Sequence, residues 1–585
     1  MPMSTNGKVA AAFEELAVLS EILGANGFKV SALRKSARTI EALTSDACAM
    51  SAADLGALDG IGASTIAKIA EFAKTGSMTE LAELHAQVPA GLTQLLQIQG
   101  LGPKTVRSLW TDLQVVDLAT LKVAIDTGAI SKLPRMGPKS VENLKEGIAF
   151  LEQSRGRIRI GEALPIAEAL LRDLGALPTV QRLAYAGSLR RGKETIGDID
   201  VLAASTDASA LMEAFRTRAD VAKVLVTGET KTSILTKHGV QIDLRVVALD
   251  RFGSALLYFT GSTEHNIRLR ERAIAQHMRL NEYGIFHANE DGAVAEGALP
   301  IASVEEADIY AVLGLQYVPP TMREDRGEID AFATGETAPA VVEIKDIRAE
   351  LHCHTVASDG EMSIDEIVSH AQERGFHTIA ITDHSKGQAQ ANGLDEARVL
   401  QHIEAIHAAR VRFPKMQIWA GSEVDILSDG SLDYDDELLA KLDWVVASPH
   451  AALKQESSIG TARLLRAIRH PLVHVIGHPT GRIVNGRPGL ELAMDTLFAA
   501  AKEHGTALEI NAQHLRLDLK DTDVRGAMRA GCMIAIDCDV HGATDFDELR
   551  FGVMTAQRGW LPASQCLNAM DAVSLDAWRR RKRRS

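Results

Sequence analysis

The most constraining feature of the sequence is an alternation of apolar, strand-like runs with helical runs, which begins at Ile347 and continues almost to the C-terminus. Most of the apolar runs are followed at once by histidine or a carboxylate. The runs are 379–381, 417–420, 444–446, 473–476, 507–510 and 533–536. Because parallel strands joined by helices bring their carboxyl ends to one face, this pattern predicts a β/α barrel with its chemistry at that face.

Histidines and acids at the ends of these runs predict a metal centre. Of the 19 histidines in the chain, 14 lie after residue 340. The segment His352-Cys353-His354 places two imidazoles on one face of a strand. Nitrogen ligands with carboxylates favour Mn, Zn or Fe over Mg, and nine such groups suit two or three ions that polarise a phosphate and generate hydroxide. Because a single histidine is more often packed or exposed, those inside helical runs are interpreted as structural: His370, His402, His407 and His504.

Together these strand ends resemble the PHP phosphoesterase superfamily, whose fold is a distorted β/α barrel with a trinuclear site. The resemblance covers about residues 345–570. It implies a cluster of two or three Mn²⁺, Zn²⁺ or Fe²⁺ ions. The implied ligands are His352, His354, Asp359, His384, Glu423, His450, His478, Asp539 and His541. Since no ligand position is lost, we expect a competent site.

A second cluster of carboxylates is predicted before the barrel. Asp198 and Asp200 are two residues apart at the start of a strand, so both point to one face. Asp243 stands alone between apolar neighbours on another strand, and Gly187-Ser188 forms a turn ahead of the first pair. An Asp-x-Asp pair is also common in surface turns, but the third aspartate and the Gly-Ser turn favour a site for two divalent cations.

The order Gly-Ser, Asp-x-Asp and a later Asp resembles that of the polymerase-beta-like nucleotidyltransferases. The run 257–266, Leu-Tyr-Phe-Thr-Gly-Ser-Thr-Glu-His-Asn, is similar to the nucleotide-pocket segment of family X DNA polymerases. The resemblance implies that Asp198, Asp200 and Asp243 are catalytic and hold two Mg²⁺ or Mn²⁺ ions. The implied nucleotide-binding residues are Gly187, Ser188, Arg191, Tyr258, Phe259, Gly261, Asn266 and Arg270.

Three glycine-rich turns near the N-terminus indicate an internal repeat. They span 58–62, 98–104 and 133–139, and each precedes a helical run. A Gly-x-Gly turn at the start of a helix presents backbone N–H groups to a phosphate, although helix C-caps also use glycine. The turns resemble helix-hairpin-helix motifs, which implies sequence-independent contacts with the DNA backbone. The implied DNA-binding residues are Gly60, Gly62, Gly100, Gly102, Lys104, Gly137 and Lys139.

Lys68 lies on the helix after the first of these turns. From its residue type alone it is a solvated lysine, but it matches the Schiff-base lysine of the family's deoxyribose-phosphate lyase domain. Ser64 and Ala67 stand where that lyase site has Lys and Glu. Whether Lys68 has a lyase role therefore stays open.

Composition limits the remaining choices. A net charge of −14 argues against a chain that coats nucleic acid by bulk charge. Residues 1–160, with 17 Lys and Arg against 16 Asp and Glu, can still hold phosphates locally. Five cysteines without a CxxC pair are interpreted as reduced thiols, no apolar run is long enough to cross a membrane, and no secretory signal is expected. These features predict a cytoplasmic protein.

Over nearly the full chain, the order of motifs resembles that of bacterial family X DNA polymerases, which implies a multidomain α+β and α/β fold. Residues 1–150 would form a helical DNA-binding domain, with a lyase-like part and fingers-side hairpins. Residues 151–320 would form the polymerase-beta-like palm and nucleotide-selection subdomain. The implied remainder is a linker at 321–346, the PHP barrel at 347–570, and a disordered basic tail at 571–585.

The function implied by this resemblance is template-directed filling of short gaps in base-excision repair, with Mn-dependent 3′→5′ exonuclease activity in the PHP module. Cleavage at abasic sites stays open. The implied partners are gapped or primed double-stranded DNA and deoxynucleoside triphosphates, with no membrane, for a monomer associated with the bacterial nucleoid. Two other functions stay open. The chain could be a DNA-bridging scaffold with an idle core, or the PHP module could hydrolyse a small phosphorylated metabolite or pyrophosphate.

Overall fold

The computed structural model describes residues 5–41, 43, 46–58, 60–96, 98, 101–133, 136–142, 144–145, 148 and 156–582. The chain divides into two compact units, with the boundary after residue 155. In these described ranges, no helix is both long enough and apolar enough to cross a bilayer.

The first unit is helical. Its helices are α1 (Thr5–Ile22), α2 (Gly27–Glu41), α3 (Ala52–Gly56), α4 (Ala63–Thr75), α5 (Thr79–Gln87), α6 (Ala90–Leu95), α7 (Pro103–Leu113) and α8 (Leu118–Asp126). Two apolar clusters stabilise it, and α1 contributes to both: Phe13 packs with α2 and α4, and Ile22 packs with α6, α7 and α8. Gly62 and Gly102 precede α4 and α7 in extended conformation, so the first two of the predicted glycine turns each open a helix.

The second unit begins with a mixed sheet. Its strands are β1 (Ile158–Arg159), β2 (Val180–Tyr185), β3 (Thr195–Ile196), β4 (Asp198–Ser205), β5 (Val221–Thr227), β6 (Lys231–Thr236) and β7 (Gln241–Val246). β1 pairs with β3, and the other five form one sheet in the order β2-β4-β7-β6-β5. Its helices are α9 (Ile160–Gly175), α10 (Gly187–Arg190), α11 (Ala208–Arg216) and α12 (Phe252–Thr260).

Successive side chains of β4 point to opposite faces of the sheet and therefore pack against different helices. Val201 is buried with α9 and α11, whereas Leu202 is buried with α12 on the opposite face. Asp198 and Asp200 share the parity of Leu202, and side chains two residues apart on a strand point to one face. The carboxylates therefore lie on the α12 face of the sheet.

A smaller subdomain follows. It contains α13 (Thr263–Ala275), β8 (Met278–Asn281), β9 (Gly284–His287), α14 (Glu306–Val312) and α15 (Glu328–Ala331), and β8 pairs with β9 as a hairpin. An apolar cluster around Leu269, Tyr310 and Phe332 joins α13 to α14 and to the segment beyond α15.

Residues 321–346, for which the sequence predicts a linker, are instead packed structure. Arg323 and Glu328 are both fully buried. Arg323 Nη1 donates to Glu306 Oε1 at 2.7 Å, and Glu328 Oε1 lies 2.7 Å from His265 Nδ1. These charged residues can be buried because each has a partner from another element: Arg323 pairs with Glu306, and Glu328 pairs with His265.

The rest of the second unit is a seven-stranded parallel barrel. Its strands are β10 (Ala349–Cys353), β11 (Thr378–Ile381), β12 (Gln417–Asp425), β13 (Trp444–Ser448), β14 (Val475–Ile476), β15 (Ala507–Asn511) and β16 (Ile534–Asp537). They pair in chain order, and a parallel bridge between Cys353 and Val540 brings the two edges together. The helices are α16 (Ile364–Glu373), α17 (Glu396–Arg412), α18 (Asp436–Leu439), α19 (Ser457–Ile468), α20 (Met494–His504), α21 (Asp521–Ala530) and α22 (Leu549–Arg558).

The basic tail is helical rather than disordered in its described part. α23 (Ala572–Lys582) packs Leu575 and Trp578 into an apolar cluster with Trp444, the first residue of β13. The rings of Trp578 and Trp444 have centroids 6.1 Å apart. The two buried apolar side chains anchor the helix at the amino-terminal end of the barrel, away from the carboxyl ends of the strands. Arg583 and Arg584 lie outside the described residues.

Candidate active sites

The three predicted carboxylates of the palm meet on two adjacent parallel strands. Asp200 on β4 is in register with Asp243 on β7, and Asp198 lies on the same face two residues earlier. One ligand oxygen from each carboxylate lies within 4.8 Å of the other two. This aspartate triad (Asp198, Asp200 and Asp243) therefore has the spacing that shared divalent cations need.

Charge in the aspartate triad is unevenly balanced. Burial raises the pKa of Asp200 to about 6, and repulsion from Asp198 and Asp243 adds to the rise. Burial also raises the pKa of Asp243, but hydrogen bonds, first that from Lys231, outweigh it and lower that pKa. Lys231 Nζ on β6 lies 2.6 Å from Asp243 Oδ2. No sequence motif indicated this lysine, because it lies on a neighbouring strand with no fixed spacing from the aspartates.

All eight predicted nucleotide-binding residues line one cleft of about 520 Å³, together with Asp198 and Asp200. Gly187 begins α10 with φ +59°, and a Cβ there would lie 2.4 Å from Asp200 Oδ2. Only glycine can therefore bring this turn so close to the carboxylate. Arg157 and Lys193 also line the cleft and were not predicted, and Thr260 and Thr263 line it from within the run 257–266.

The far side of the cleft is a chain of contacts between α12 and α13. The rings of Tyr258 and Phe259 meet edge to face, with centroids 5.1 Å apart. Asn266 Nδ2 donates to the Tyr258 carbonyl at 2.8 Å, and Arg270 Nε donates to the Asn266 carbonyl at 3.3 Å. Gly261 ends α12 with φ +70°. The predicted sugar-side and base-side residues thus form one connected wall.

The nine predicted ligands of the barrel, named here the histidine cluster, converge at the carboxyl ends of the strands. Three subsets have ligand atoms within 4.8 Å of one another: His354, Asp359, His384 and His541; His352, His354 and Asp539; His384, Glu423 and His450. His478 joins them through Nε2, 2.9 Å from Glu423 Oε1. Shared members link the subsets into one centre.

The histidine cluster fits divalent cations by a test of its buried polar atoms. Seven side-chain atoms of the nine ligands are buried without a hydrogen bond from any described residue: Nε2 of His352, Nδ1 and Nε2 of His354, Nδ1 of His384, Oε2 of Glu423, Nδ1 of His478 and Oδ1 of Asp539. Buried polar atoms almost always have partners, and an unmet one costs about 1–3 kcal/mol. Coordination by cations would satisfy all of them at once.

The ligands of the histidine cluster shift one another's pKa values, because their charges lie close together. Burial raises the pKa of Glu423, but the charges of His450, His352 and His384 outweigh it and hold that pKa well below its usual range. Burial lowers the pKa of His354 to about 4, and the charges of His384 and His541 add to the fall. His354 is therefore a neutral imidazole that can bind a metal directly, whereas His384 and His450, whose pKa values are raised, must first lose a proton.

Outer carboxylates orient two of these ligands, and no sequence motif indicated those carboxylates. Glu509 Oε1 lies 2.6 Å from Nδ1 of His352, and Asp425 Oδ1 lies 2.6 Å from Nδ1 of His450. Each contact occupies one ring nitrogen and so leaves Nε2 as the ligand atom. His402, interpreted as structural, is buried and lies 2.7 Å from Asp383 beside the cluster.

A cavity of about 350 Å³ gives access to the histidine cluster. Arg487 and Arg516 line it with seven of the nine ligands, and neither was predicted from the sequence. Arg516 Nε lies 3.9 Å from Asp539 Oδ2. Two guanidinium groups beside a metal centre suit an anionic substrate, since Arg binds phosphate oxygens well.

The predicted DNA-binding turns lie in the first unit. Lys104 and Lys139 are exposed, as are Gly62, Gly102 and Gly137, while Gly60 is half-buried with φ +87°. Gly100 lies outside the described residues.

Lys68 is tied to two neighbours. Its Nζ donates to Ser64 Oγ at 2.7 Å and lies 3.0 Å from Glu80 Oε2. These two contacts hold the Lys68 side chain against Ser64 on its own helix and against Glu80 on α5.

Known family models match four segments of the chain. They are described as "DNA polymerase beta thumb" at residues 255–324, "Helix-hairpin-helix domain" at 4–78, "SAM-like Helix-hairpin-helix tandem" at 92–149, and "PHP domain" at 350–513.

Individual relatives cover either the whole chain or the barrel. The "DNA polymerase/3'-5' exonuclease PolX" of Bacillus subtilis (strain 168) is 34% identical over 570 residues, 97% of this chain and 98% of that protein. A "Probable phosphatase" of Caldicellulosiruptor bescii is 29% identical over 208 residues, 34% of this chain and 82% of that protein. A "Probable phosphatase" of Syntrophotalea carbinolica is 31% identical over 166 residues, 28% of this chain and 64% of that protein.

Proposed function

Since this chain belongs to the bacterial family X DNA polymerases that carry a PHP domain, and is a DNA polymerase with 3′→5′ exonuclease activity, we propose how its two sites divide that work. The aspartate triad adds nucleotides, and the histidine cluster hydrolyses the 3′ end. One observation supports this division above all others. Two separate and complete sets of ligands converge within the second unit.

At the aspartate triad, Asp198, Asp200 and Asp243 would hold two Mg²⁺ or Mn²⁺ ions, because carboxylate oxygens suit those cations. Bound cations there lower the pKa of the primer 3′-hydroxyl and neutralise the departing pyrophosphate. The protein's own part is to hold the triphosphate. The N–H groups of the turn at Gly187, the Ser188 hydroxyl and the Arg191 guanidinium line the same cleft as the carboxylates and can bind phosphate oxygens.

Nucleotide selection is assigned to the opposite wall of the cleft. Tyr258 and Phe259 would shape the sugar site, and Asn266 and Arg270 would contact the nascent base pair. Their support is the chain of contacts from Tyr258 to Arg270, which makes the wall a single surface. A rigid wall can select a correctly shaped base pair, because a mispair would clash with side chains that cannot move independently.

At the histidine cluster, Mn²⁺, Zn²⁺ or Fe²⁺ would be held by the nine ligands, supported by their buried, unpartnered atoms. Bound cations there polarise a phosphodiester and supply hydroxide for hydrolysis. Arg487 and Arg516 would hold the phosphate oxygens of the terminal nucleotide. A cavity of about 350 Å³ has the size of a site for one small ligand, so the 3′ end would enter as a frayed single strand.

Short gaps in double-stranded DNA, as they arise in base-excision repair, are the proposed substrate. Phosphate contacts made by helix N-termini carry no sequence information, so they suit gaps anywhere in a genome. We propose that the chain acts as a monomer. The proposed place of action is the nucleoid, where this DNA is found.

The test uses one variant in each site on a one-nucleotide gap with Mn²⁺. We expect Asp200→Ala to abolish synthesis and to spare 3′→5′ degradation, and His354→Ala to do the reverse. Extension of the primer by Asp200→Ala at the wild-type rate would overturn the assignment of the aspartate triad. Undiminished 3′ degradation by His354→Ala would overturn that of the histidine cluster.

A second function for the barrel is favoured by the relatives that match it alone, since they are named probable phosphatases. In this alternative, the histidine cluster hydrolyses small phosphomonoesters. Comparing wild-type turnover of a 3′-recessed oligonucleotide with that of small phosphomonoesters decides between them. Faster turnover of the oligonucleotide, lost in His354→Ala, is the result expected for the exonuclease.

A further inference from the structure

Arg558, the last residue of α22 in the barrel, contacts Arg191, which lines the polymerase cleft. Its side chain is 4% exposed. Its Nη1 donates to the Arg191 carbonyl at 2.8 Å and to Glu324 Oε1 at 2.9 Å. Arg191 Nε donates to the same Glu324 oxygen at 2.9 Å. One carboxylate of the smaller subdomain thus bridges an arginine of the cleft and an arginine of the barrel.

Charge makes this bridge strong. Burial raises the pKa of Glu324, but Arg558 and Arg191 outweigh it and lower that pKa to about 2, so the carboxylate stays ionised. The other edge of Arg558 donates from Nη2 to Asp521 Oδ2 at 2.8 Å. A guanidinium held by carboxylates on both edges, and buried, has little freedom to move.

The bridge fixes the Arg191 guanidinium on two sides. Nε is bonded to Glu324 and Nη1 to the Thr260 carbonyl, and no hydrogen bond from a described residue reaches Nη2. Arg191 lines the cleft that contains Asp198 and Asp200. A long side chain that is already ordered loses less conformational entropy when it binds an anion.

We propose that Arg558 is a positioning residue for nucleotide addition, and that it acts through Glu324 and the Arg191 backbone to hold the Arg191 guanidinium ready for the triphosphate. The barrel that hydrolyses DNA is thereby also part of the nucleotide-binding structure of the polymerase. This inference rests on the proposed role of Arg191 as a triphosphate ligand.

The primary test is Arg558→Gln in the full chain, assayed for gap filling with varied nucleotide concentration. We expect KM for the nucleotide to rise about tenfold, the value of one charge-assisted hydrogen bond, with kcat within twofold of wild type. Exonuclease activity should be unchanged, because Arg558 is not among the ligands of the histidine cluster. Equal losses of synthesis and degradation would overturn the inference.

Arg550→Gln is the matched control. Arg550 lies on the same helix and also pairs across to the palm, where its Nη1 lies 3.1 Å from Glu168 Oε1, but it has no contact with Arg191 or Glu324 among the described residues. We expect its KM to stay within twofold of wild type. A rise in KM as large as that of Arg558→Gln would mean that any break in this interface has the same effect, and would overturn the inference.

Arg191→Ala separates failure of the inference from failure of the proposed function. If Arg191→Ala leaves KM unchanged, Arg191 is not a triphosphate ligand, and both statements fall. If it raises KM while Arg558→Gln does not, only the inference falls. The double variant should have the KM of Arg191→Ala alone, because Arg558 acts through that side chain. Additive effects would overturn the coupling.

Glu324→Gln breaks the same bridge from the other side and keeps the size of the side chain. It serves if Arg558→Gln fails to fold, as judged by its melting temperature. We expect the same selective rise in KM for the nucleotide. An unchanged KM in a folded Glu324→Gln variant would overturn the proposal.

Discussion

The aspartate triad and the histidine cluster are both built at the ends of parallel strands, yet they differ in burial and in the charge that the protein supplies. In the triad only Asp243 is buried, and Lys231 already places a cation 2.6 Å from it. In the histidine cluster six of the nine ligands are buried, and several ligand atoms have no hydrogen bond from a described residue. The triad is an open site, and the cluster is an enclosed one.

This difference has a functional meaning. An open triad with a lysine beside it can take up cations together with each nucleotide and release them with pyrophosphate. An enclosed cluster with unmet ligand atoms holds its ions between turnovers, because their loss would leave buried polar atoms without partners. We therefore expect exchangeable ions for synthesis and resident ions for degradation, and four experiments probe that contrast.

The largest effect is expected from Glu423→Gln. Glu423 lies 2.8 Å from His384 Nδ1 and 2.9 Å from His478 Nε2, at the centre of the cluster. Loss of an outer partner of a metal ligand costs 10- to 100-fold, so loss of this central carboxylate should lower exonuclease activity by at least about 10³-fold. Synthesis should stay within twofold of wild type. A variant that lost both activities equally would show that the two sites are not separate.

Removal of metal should destabilise the two sites unequally. An ion present at about a thousand times its dissociation constant adds about 4 kcal/mol to the free energy of unfolding. We expect chelation followed by gel filtration to cost the barrel about that much, with recovery on adding Mn²⁺. The measurement is denaturant unfolding of chelated and reloaded protein. Asp200→Ala should lose as much free energy of unfolding on chelation as the wild type does, and His354→Ala should lose none. The opposite pattern would mean that the resident ions are in the aspartate triad.

Sequence reasoning proposed both sets of candidate ligands because most of them begin, lie in or follow an apolar strand. His352 and His354 are two residues apart, as are Asp198 and Asp200. Side chains with that spacing on a strand point to one face, so the spacing predicts that each pair lies in one site. The family matches of the polymerase and PHP regions confirm the fold class that the resemblance of these motifs implied.

The residues that could not be predicted are those whose partners are distant in sequence. Arg323 and Glu328 read as a polar linker, because nothing local shows that Glu306 and His265 will bury them. The link between Arg558 and Arg191 joins positions 367 residues apart, and only the packing of the barrel against the palm creates it. Local spacing thus predicts the ligands, and tertiary packing decides what holds them.

A third experiment compares how protons compete with metal at the two sites. The pKa of Asp200 is raised to about 6, so Mn²⁺ affinity of the aspartate triad should fall about tenfold per pH unit below 6 and be level above 7. In the histidine cluster burial lowers the pKa values of His384 and His450, but Glu423 and its neighbours outweigh it and raise them to about 10 and about 9.

Protons should therefore compete with metal at the histidine cluster up to about pH 9, so its loading should keep improving over a range where the triad is already level. Metal analysis of His354→Ala and Asp200→Ala protein, equilibrated with limiting Mn²⁺ between pH 5 and 9, reports each site separately. Identical pH profiles of Mn²⁺ loading at the two sites would show that protons compete with metal equally at both.

The smallest effect is expected from Lys231→Met. The ammonium group near the triad repels a divalent cation by about 1 kcal/mol at the dielectric of a half-exposed site, so its removal should tighten Mg²⁺ binding about fivefold. Lys231 also lowers the pKa of Asp243, and its loss raises that pKa. Binding is therefore measured at pH 8, where the carboxylate stays ionised in either protein. The His354→Ala background keeps the histidine cluster from taking up ions.

Lys223→Met on β5 is the matched control, because it removes the same charge two strands from Asp243. It should leave the Mg²⁺ affinity of the aspartate triad unchanged. If Lys231→Met weakened Mg²⁺ binding at pH 8, the lysine would be a support of the triad rather than a competitor of its cations, and the open site would be as dependent on its surroundings as the enclosed one.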